Sequence, residues 1–486
     1  MPENLNKQVV KATKWSTLSE VVAKLIVPIT SMVLARLLTP EIFGVVTTLV
    51  MVTSFAGLFT DAGFYKYIVQ HEFKDDSDCY ESATVAFWSN FTVSMLIWGC
   101  IVLFSEPLAA LVGNPGLGHV LIISSISIPI SSFASIQSAL FSRHLDFKTL
   151  FKVRFVSVVI PLVTTIPLAI WLRSYWAIVL GGLINSIVGT ILLTILSDWR
   201  PSFFYSFSKL KEMLSFSIWS QVESISIWLT RYVDVFFIGT ILSQYYLGLY
   251  KTSIVTVAQI TGFVTAATTP VLFVSLSRLQ NDETEFRRLF FRFQKLVGLL
   301  VVPIGAGIFC FSDLVTIVLL GDQWMETADF IGIWGLTSSV TIVLAHYSSE
   351  VYRAKGRPKL SVLAQWLHII VLWPVIIIAA KYGYHTLYIA RTIVRLEIIL
   401  VHFIIIYYLV HLSPWQMIKN ISPALFTSLV MIFFAFCLKQ LDDSYAFQIL
   451  SIFLCGIFYC VVIYQYPEER CIIDNYLLKR LKCYLV

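Results

Sequence analysis

Apolar residues fill this chain in long blocks separated by short polar turns. A helix needs about 20 apolar residues to cross a hydrocarbon layer. The pattern predicts fourteen such spans, at roughly 15–38, 41–70, 82–105, 118–141, 150–172, 175–197, 213–238, 245–277, 294–312, 328–352, 360–380, 384–410, 417–438 and 445–466. The connections are short; among the longest is Arg278–Lys295. The expected fold is all-α and membrane-integral, with about 14 transmembrane helices.

The blocks also repeat. Leu38-Thr39-Pro40-Glu41-Ile42-Phe43-Gly44 aligns with Leu242-Ser243-Gln244-Tyr245-Tyr246-Leu247-Gly248 at an offset of 204, and Trp15-Ser16 falls on Trp219-Ser220. The basic segments Arg143–Lys148 and Arg353–Lys359 match at an offset near 210. Six spans return the chain to the side it started from. This predicts two parallel lobes, 1–199 and 200–410, then two added helices in 411–466 and a basic tail, 467–486. Parallel repeats about an axis along the membrane normal are a transporter plan, with the site between the repeats.

Composition agrees. Hydrophobic residues make up 57% and charged residues 13% of 486, against about 25% charged in soluble domains. With the N-terminus inside, 26 of the 35 Lys and Arg flank the cytosolic ends of the spans and only Arg36, Arg173, Lys381 and Lys439 lie outside. That bias predicts cytosolic termini. The first residues contain no apolar core with a small-residue cleavage site, so no cleavable signal peptide is expected. The eight cysteines form no CxxC pair, and GxxxxGK[ST] is absent, which argues against a thiolate metal site and ATP hydrolysis.

The segment ARLLTPEIFG, followed by an apolar run ending FTDAGFYKYIVQ, and the basic loop RHLDFKTL resemble the signatures of bacterial polysaccharide flippases. These are lipid-linked oligosaccharide exporters of the superfamily that includes multidrug extruders and peptidoglycan-precursor flippases. The resemblance covers essentially the whole chain. It implies translocation of undecaprenyl-diphosphate-linked repeat units from the inner to the outer leaflet of the bacterial inner membrane by alternating access, for O-antigen, capsule or exopolysaccharide. Implied partners are the lipid-linked oligosaccharide, membrane lipids and neighbouring polymerases or glycosyltransferases. No nucleic acid and no cofactor beyond a coupling H+ or Na+ is implied.

Ionisable groups inside the membrane cost at least ~3 kcal/mol each and are functional candidates. At ~1.5 Å per residue, Arg231 and Asp234 lie ~16 and ~12 Å below the outer end of the seventh span. Lys251 lies ~10 Å into the eighth, and Arg391 and Arg395 ~10 and ~16 Å into the twelfth. Arg presents a planar fork to phosphate oxygens and Lys a point charge. The diphosphate contacts are therefore expected at Arg231, Lys251, Arg391, Arg395 and Lys24. Internal pairing of Arg231 with Asp234 or Glu223, and of Arg395 with Glu397, is the competing reading. Glu20, Lys24 and Asp61 are expected at the inner mouth, where Asp61, Glu20, Asp234 and Glu223 are candidates for coupling or gating. Here helix 41–70 is read as one 30-residue helix that overruns the hydrocarbon.

Two alternatives stand beside this. A cation-coupled drug exporter would favour carboxylates over cations in its cavity. A polysaccharide polymerase or ligase would need a catalytic platform outside the membrane, and the outer loops are short.

Overall fold

The computed structural model describes residues 3–474 apart from Ala62, Pro358 and Asp443; side chains at 3–13, 61, 215–220, 222–223, 409 and 472–473 lie outside that description. The described chain is helical throughout and divides into two compact units, Met1–Lys251 and Thr252–Val486.

The first unit contains α1 (Glu3–Leu37), α2 (Pro40–Asp61), α3 (Phe64–Gln70), α4 (Asp76–Leu103), α5 (Ser105–Leu111), α6 (Gly118–Ser125), α7 (Ser127–Arg143), α8 (Phe147–Val163), α9 (Thr165–Leu172), α10 (Tyr175–Leu196) and α11 (Phe207–Ile241). The boundary falls early in α12 (Gln244–Arg278). The second unit continues with α13 (Glu283–Cys310), α14 (Ser312–Leu319), α15 (Ala328–Thr341), α16 (Ser348–Ala354), α17 (Lys359–Ala380), α18 (Tyr384–Ile405), α19 (Pro414–Lys439), α20 (Tyr445–Ile463) and α21 (Pro467–Ile473). A π-helical turn, Ile342–His346, carries α15 toward α16.

Among the described residues, thirteen segments are long and apolar enough to cross a membrane. The fourteenth expected span is α18, whose 22 residues include Arg391, Arg395 and Glu397. The chain is a multi-pass membrane protein.

Helix ends differ from the periodicity in physically readable places. The 30-residue helix expected over 41–70 is two helices. It stops at Asp61, Gly63 turns at φ 79° in the left-handed region, and α3 restarts at Phe64. A side chain is strained there and glycine is not. The expected span 150–172 is interrupted at Thr164, three residues before Pro167, which has no N–H to offer the preceding turn. The stretch 118–141 breaks at Ile126, three residues before Pro129, for the same reason. The segment Arg278–Lys295, expected as a connection, is mostly the first turns of α13. Asp282 caps it by accepting from Thr284 N and Glu285 N, both at 3.1 Å, and it buries Phe286 and Phe290.

In the first unit α1 packs broadly on α8, α7 on α4 and α10, and α11 on α2. Side chains fasten α11 to α2. Gln221 Nε2 donates to Leu58 O at 2.6 Å, and Trp228 Nε1 donates to Ser54 Oγ at 3.0 Å. The basic loop after α7 also has structural work. Arg143 donates to the carbonyls of Ile68 and His71 (2.8 and 2.7 Å), while Asp146 caps α8 through Thr149 N at 3.1 Å. In the second unit α13 packs on α15 and α19, and α18 on α17 and α15.

The repeat has a structural signature. Gly44 and Gly248 hold equivalent positions in the two copies of the motif, as do Pro40 and Gln244. A Cβ on Gly44 would lie 1.9 Å from Gln244 O; a Cβ on Gly248 would lie 1.9 Å from Pro40 O. Each glycine therefore sits against the backbone carbonyl of the residue that opens the other helix. The exchange is that of a local two-fold, and only glycine permits the approach. Gln244 Nε2, donating to Gly113 O at 3.1 Å, braces this corner.

Candidate functional site

Two groups of cations on long helices stand out, one in each unit. In the first, Arg231 is exposed and Lys251 half-buried. Lys251 Nζ donates to Arg231 O at 3.2 Å and lies 5.2 Å from the Tyr232 ring centroid. One turn of α11 beyond Arg231, Asp234 is buried; its carboxylate accepts from Tyr250 Oη at 2.7 Å and from Val235 N at 2.8 Å. Among the described residues no carboxylate lies within ion-pair distance of Arg231. The expected pairing with Asp234 is replaced by the tyrosine contact, and the Glu223 side chain lies outside the described residues.

In the second unit, Arg391 (buried) and Arg395 (half-buried) project one turn apart from α18 onto Trp334 of α15. Their guanidinium carbons lie 5.2 and 4.4 Å from the indole centroid. The negative face of an aromatic ring stabilises a cation at these distances, most strongly where water is thin. Glu397 turns instead to α17, where its Oε2 meets His368 Nδ1 at 2.9 Å. Residues two apart on a helix do not share a face, which is why Glu397 serves His368 while Arg395 faces Trp334.

The residues expected at the inner mouth are placed individually. Glu20 is exposed and Lys24 half-buried on α1; no ion pair joins them among the described residues. Asp61 ends α2, and its side chain lies outside the described residues. Helix rise gives only the position of each of these residues along its own helix. It did not find Trp334, Tyr250 or His368, since a partner on another helix depends on how each helix is rotated. The available signal was composition: Trp334 and His368 are large polar-tipped residues within apolar runs.

The helix order and packing define a membrane-transporter fold. The solved structure of the lipid II flippase MurJ in an inward closed conformation aligns over 93% of this chain and 99% of its own, with a TM-score of 0.74 and 16% identity. By sequence, residues 33–329, more than half of the chain, match the polysaccharide biosynthesis protein family, and the chain belongs to that family. Relatives include the succinoglycan biosynthesis transport protein ExoT of Rhizobium meliloti, 23% identical over 74% of this chain and 72% of its own. The lipopolysaccharide biosynthesis protein WzxC of Escherichia coli is 22% identical over 66% of this chain and 65% of its own.

Proposed function

We propose that this protein is a flippase for an undecaprenyl-diphosphate-linked oligosaccharide, moving it from the inner to the outer leaflet of a bacterial inner membrane for surface polysaccharide assembly. Both termini are then cytosolic, in keeping with the basic inner loops. The observation that carries this reading is the pair of cationic groups, Arg231 with Lys251 and Arg391 with Arg395, which helix rise puts near mid-membrane depth in this reading. Helices facing only lipid do not retain exposed or half-buried cations at that depth. A diphosphate gives such a group a ligand. A guanidinium lying over an indole uses its face, and its N–H donors point in its plane, where phosphate oxygens dock.

Translocation proceeds by alternating access of two lobes, 1–199 and 200–410. The Gly44–Gly248 seam supports closure at the outer ends of α2 and α12: backbone meets backbone with no side chain between. The polyprenyl tail stays in lipid while the headgroup crosses. A flip by itself has no direction. Polymerisation outside, by partner polymerases, or a H+ or Na+ gradient acting through Asp61, Glu20, Asp234 or Glu223 supplies it. Of these, Asp234 is already committed to Tyr250, which makes that contact the one a coupling ion must displace.

The test uses a strain lacking this chain and scores surface polymer, with membrane content measured in parallel. Arg391→Ala and Arg395→Ala should each abolish or sharply reduce polymer at normal protein level. Arg395→Lys should not restore it, because an ammonium lacks the planar fork. Wild-type polymer from both alanine variants would overturn the assignment.

A further inference from the structure

The first unit carries an aromatic ladder along the contact between α2 and α11. On α2, Phe59 and Phe55 lie one turn apart with ring centroids 5.2 Å apart, edge to face. Phe55 meets Trp228 of α11 at 4.7 Å, and Trp228 meets Tyr232 at 5.4 Å. The ladder ends at two cations: Lys251 over the Tyr232 ring at 5.2 Å, and Arg231 beside Tyr232 in sequence. Phe55 and Phe59 are each 40% exposed, and Trp228 and Tyr232 are half-buried.

Three observations separate this ladder from an ordinary lipid-facing surface. Interfacial tryptophans and tyrosines gather at the headgroup level, whereas Trp228 lies ~20 Å from the Ile241 end of α11, well inside the hydrocarbon. Arg231, ~15 Å from that end, is exposed, and an exposed guanidinium at that depth requires water. Trp228 is also held in place by its bond to Ser54 rather than left to pack against acyl chains. The ladder therefore borders a wet surface. It runs ~15 Å along the membrane normal, from Phe59 to Tyr232, by the rise of the two helices.

We infer that these four rings form the track on which the sugar residues of the substrate lie. This rests on the flippase reading and names the part of the site that handles the saccharide. The apolar faces of pyranose rings present weakly positive C–H groups, which suit the negative faces of aromatic rings. The hydroxyl rims remain in water. The diphosphate sits at Arg231 and Lys251, and the saccharide extends from there toward the Asp61 end of α2. A track that holds sugars by their faces accepts different repeat units of similar ring shape and rejects a bare lipid diphosphate only weakly.

The experiment uses the full chain in lipid nanodiscs and native mass spectrometry with two probes, undecaprenyl diphosphate and undecaprenyl-diphosphate-linked galactose. Wild type should bind the glycosylated probe more tightly. Trp228→Leu should weaken that probe about 3- to 10-fold, the range expected for one aromatic contact, and leave the bare diphosphate unchanged. Trp228→Phe, which keeps a ring but loses the Ser54 bond, should retain most of the preference; its loss in that variant would assign Trp228 a packing role and overturn the track. Equal weakening of both probes by Trp228→Leu, or no preference in wild type, would also overturn it. Failure of wild type to bind either probe would instead strike the flippase reading beneath it.

Discussion

One methyl group tests the seam between the two copies of the motif. In Gly44→Ala the new Cβ falls 1.9 Å from Gln244 O, where ordinary contact begins at 3.4 Å. The shortfall, 3.4 less 1.9, is about 1.5 Å. The obstacle is backbone, so no side chain can swing aside, and the first turns of α2 and α12 must part by roughly that distance. Overpacking of this kind costs about 1–3 kcal/mol. Gly248→Ala meets Pro40 O at the same 1.9 Å and is relieved by the same separation. The double variant should therefore cost little more than either single, well short of their sum, as expected for neighbours sharing one movement. A shift of 1–3 kcal/mol changes the ratio of closed to parted seams about 5- to 150-fold. The assay is electron–electron distance measurement between nitroxides at Glu41 and Ser243, both exposed, in a background with the native cysteines replaced by serine, alongside thermal denaturation midpoints. Each alanine variant should enrich the longer distance. Unchanged distances in both singles, or a double variant whose midpoint falls by the full sum, would refute the reasoning.

Two further outcomes follow from other contacts. Tyr250→Phe removes the hydroxyl that Asp234 accepts from and leaves a buried carboxylate short of a donor; it should cost about 1–3 kcal/mol, read as a lower denaturation midpoint, and Asp234→Asn should recover part of that loss. At the start of α21, the Lys295 ammonium beside Glu468 holds that carboxyl below the usual carboxylate range, through its hydrogen bond first and its charge second. A depressed carboxylate stabilises above its unfolded value and loses that contribution as pH falls through the folded one. Proteolysis at α21 should therefore be flat from pH 8 to 6 and accelerate only below about pH 4; because Glu468 is largely exposed, the change should be small.

Much of the fold was legible from hydrophobic blocks because a bilayer imposes a nearly fixed helix length. The repeat was legible because Gly44 and Gly248 sit in short matching motifs. The break at Gly63 was hidden because Asp61 and Lys66 sit in a segment otherwise apolar and aromatic enough to be read as one helix; the left-handed turn at the glycine separates the two. Helix rise gives the position of Arg231, Lys251, Arg391 and Arg395 along their helices. Their neighbours could not be counted. Asp234 lies one turn from Arg231 on α11, the spacing of a salt bridge, yet its carboxylate meets a tyrosine from the next helix. Glu397 lies two residues from Arg395, yet its partner is a histidine 29 positions earlier. Such choices depend on rotation about each helix axis, which apolar periodicity constrains weakly in helices that are hydrophobic on most sides.

The glycine seam also bears on origin. In it, the first residue of α2 or α12 meets the fifth residue of the other helix, and the reverse contact is the same. That is the contact rule of an isologous interface, in which two identical surfaces meet across a dyad. Such an interface is made naturally by two copies of one smaller protein inserted in the same orientation. Gene fusion would then join them without rebuilding the contact. With both halves on one chain the dyad stays constrained, because a side chain added to either partner would push both apart.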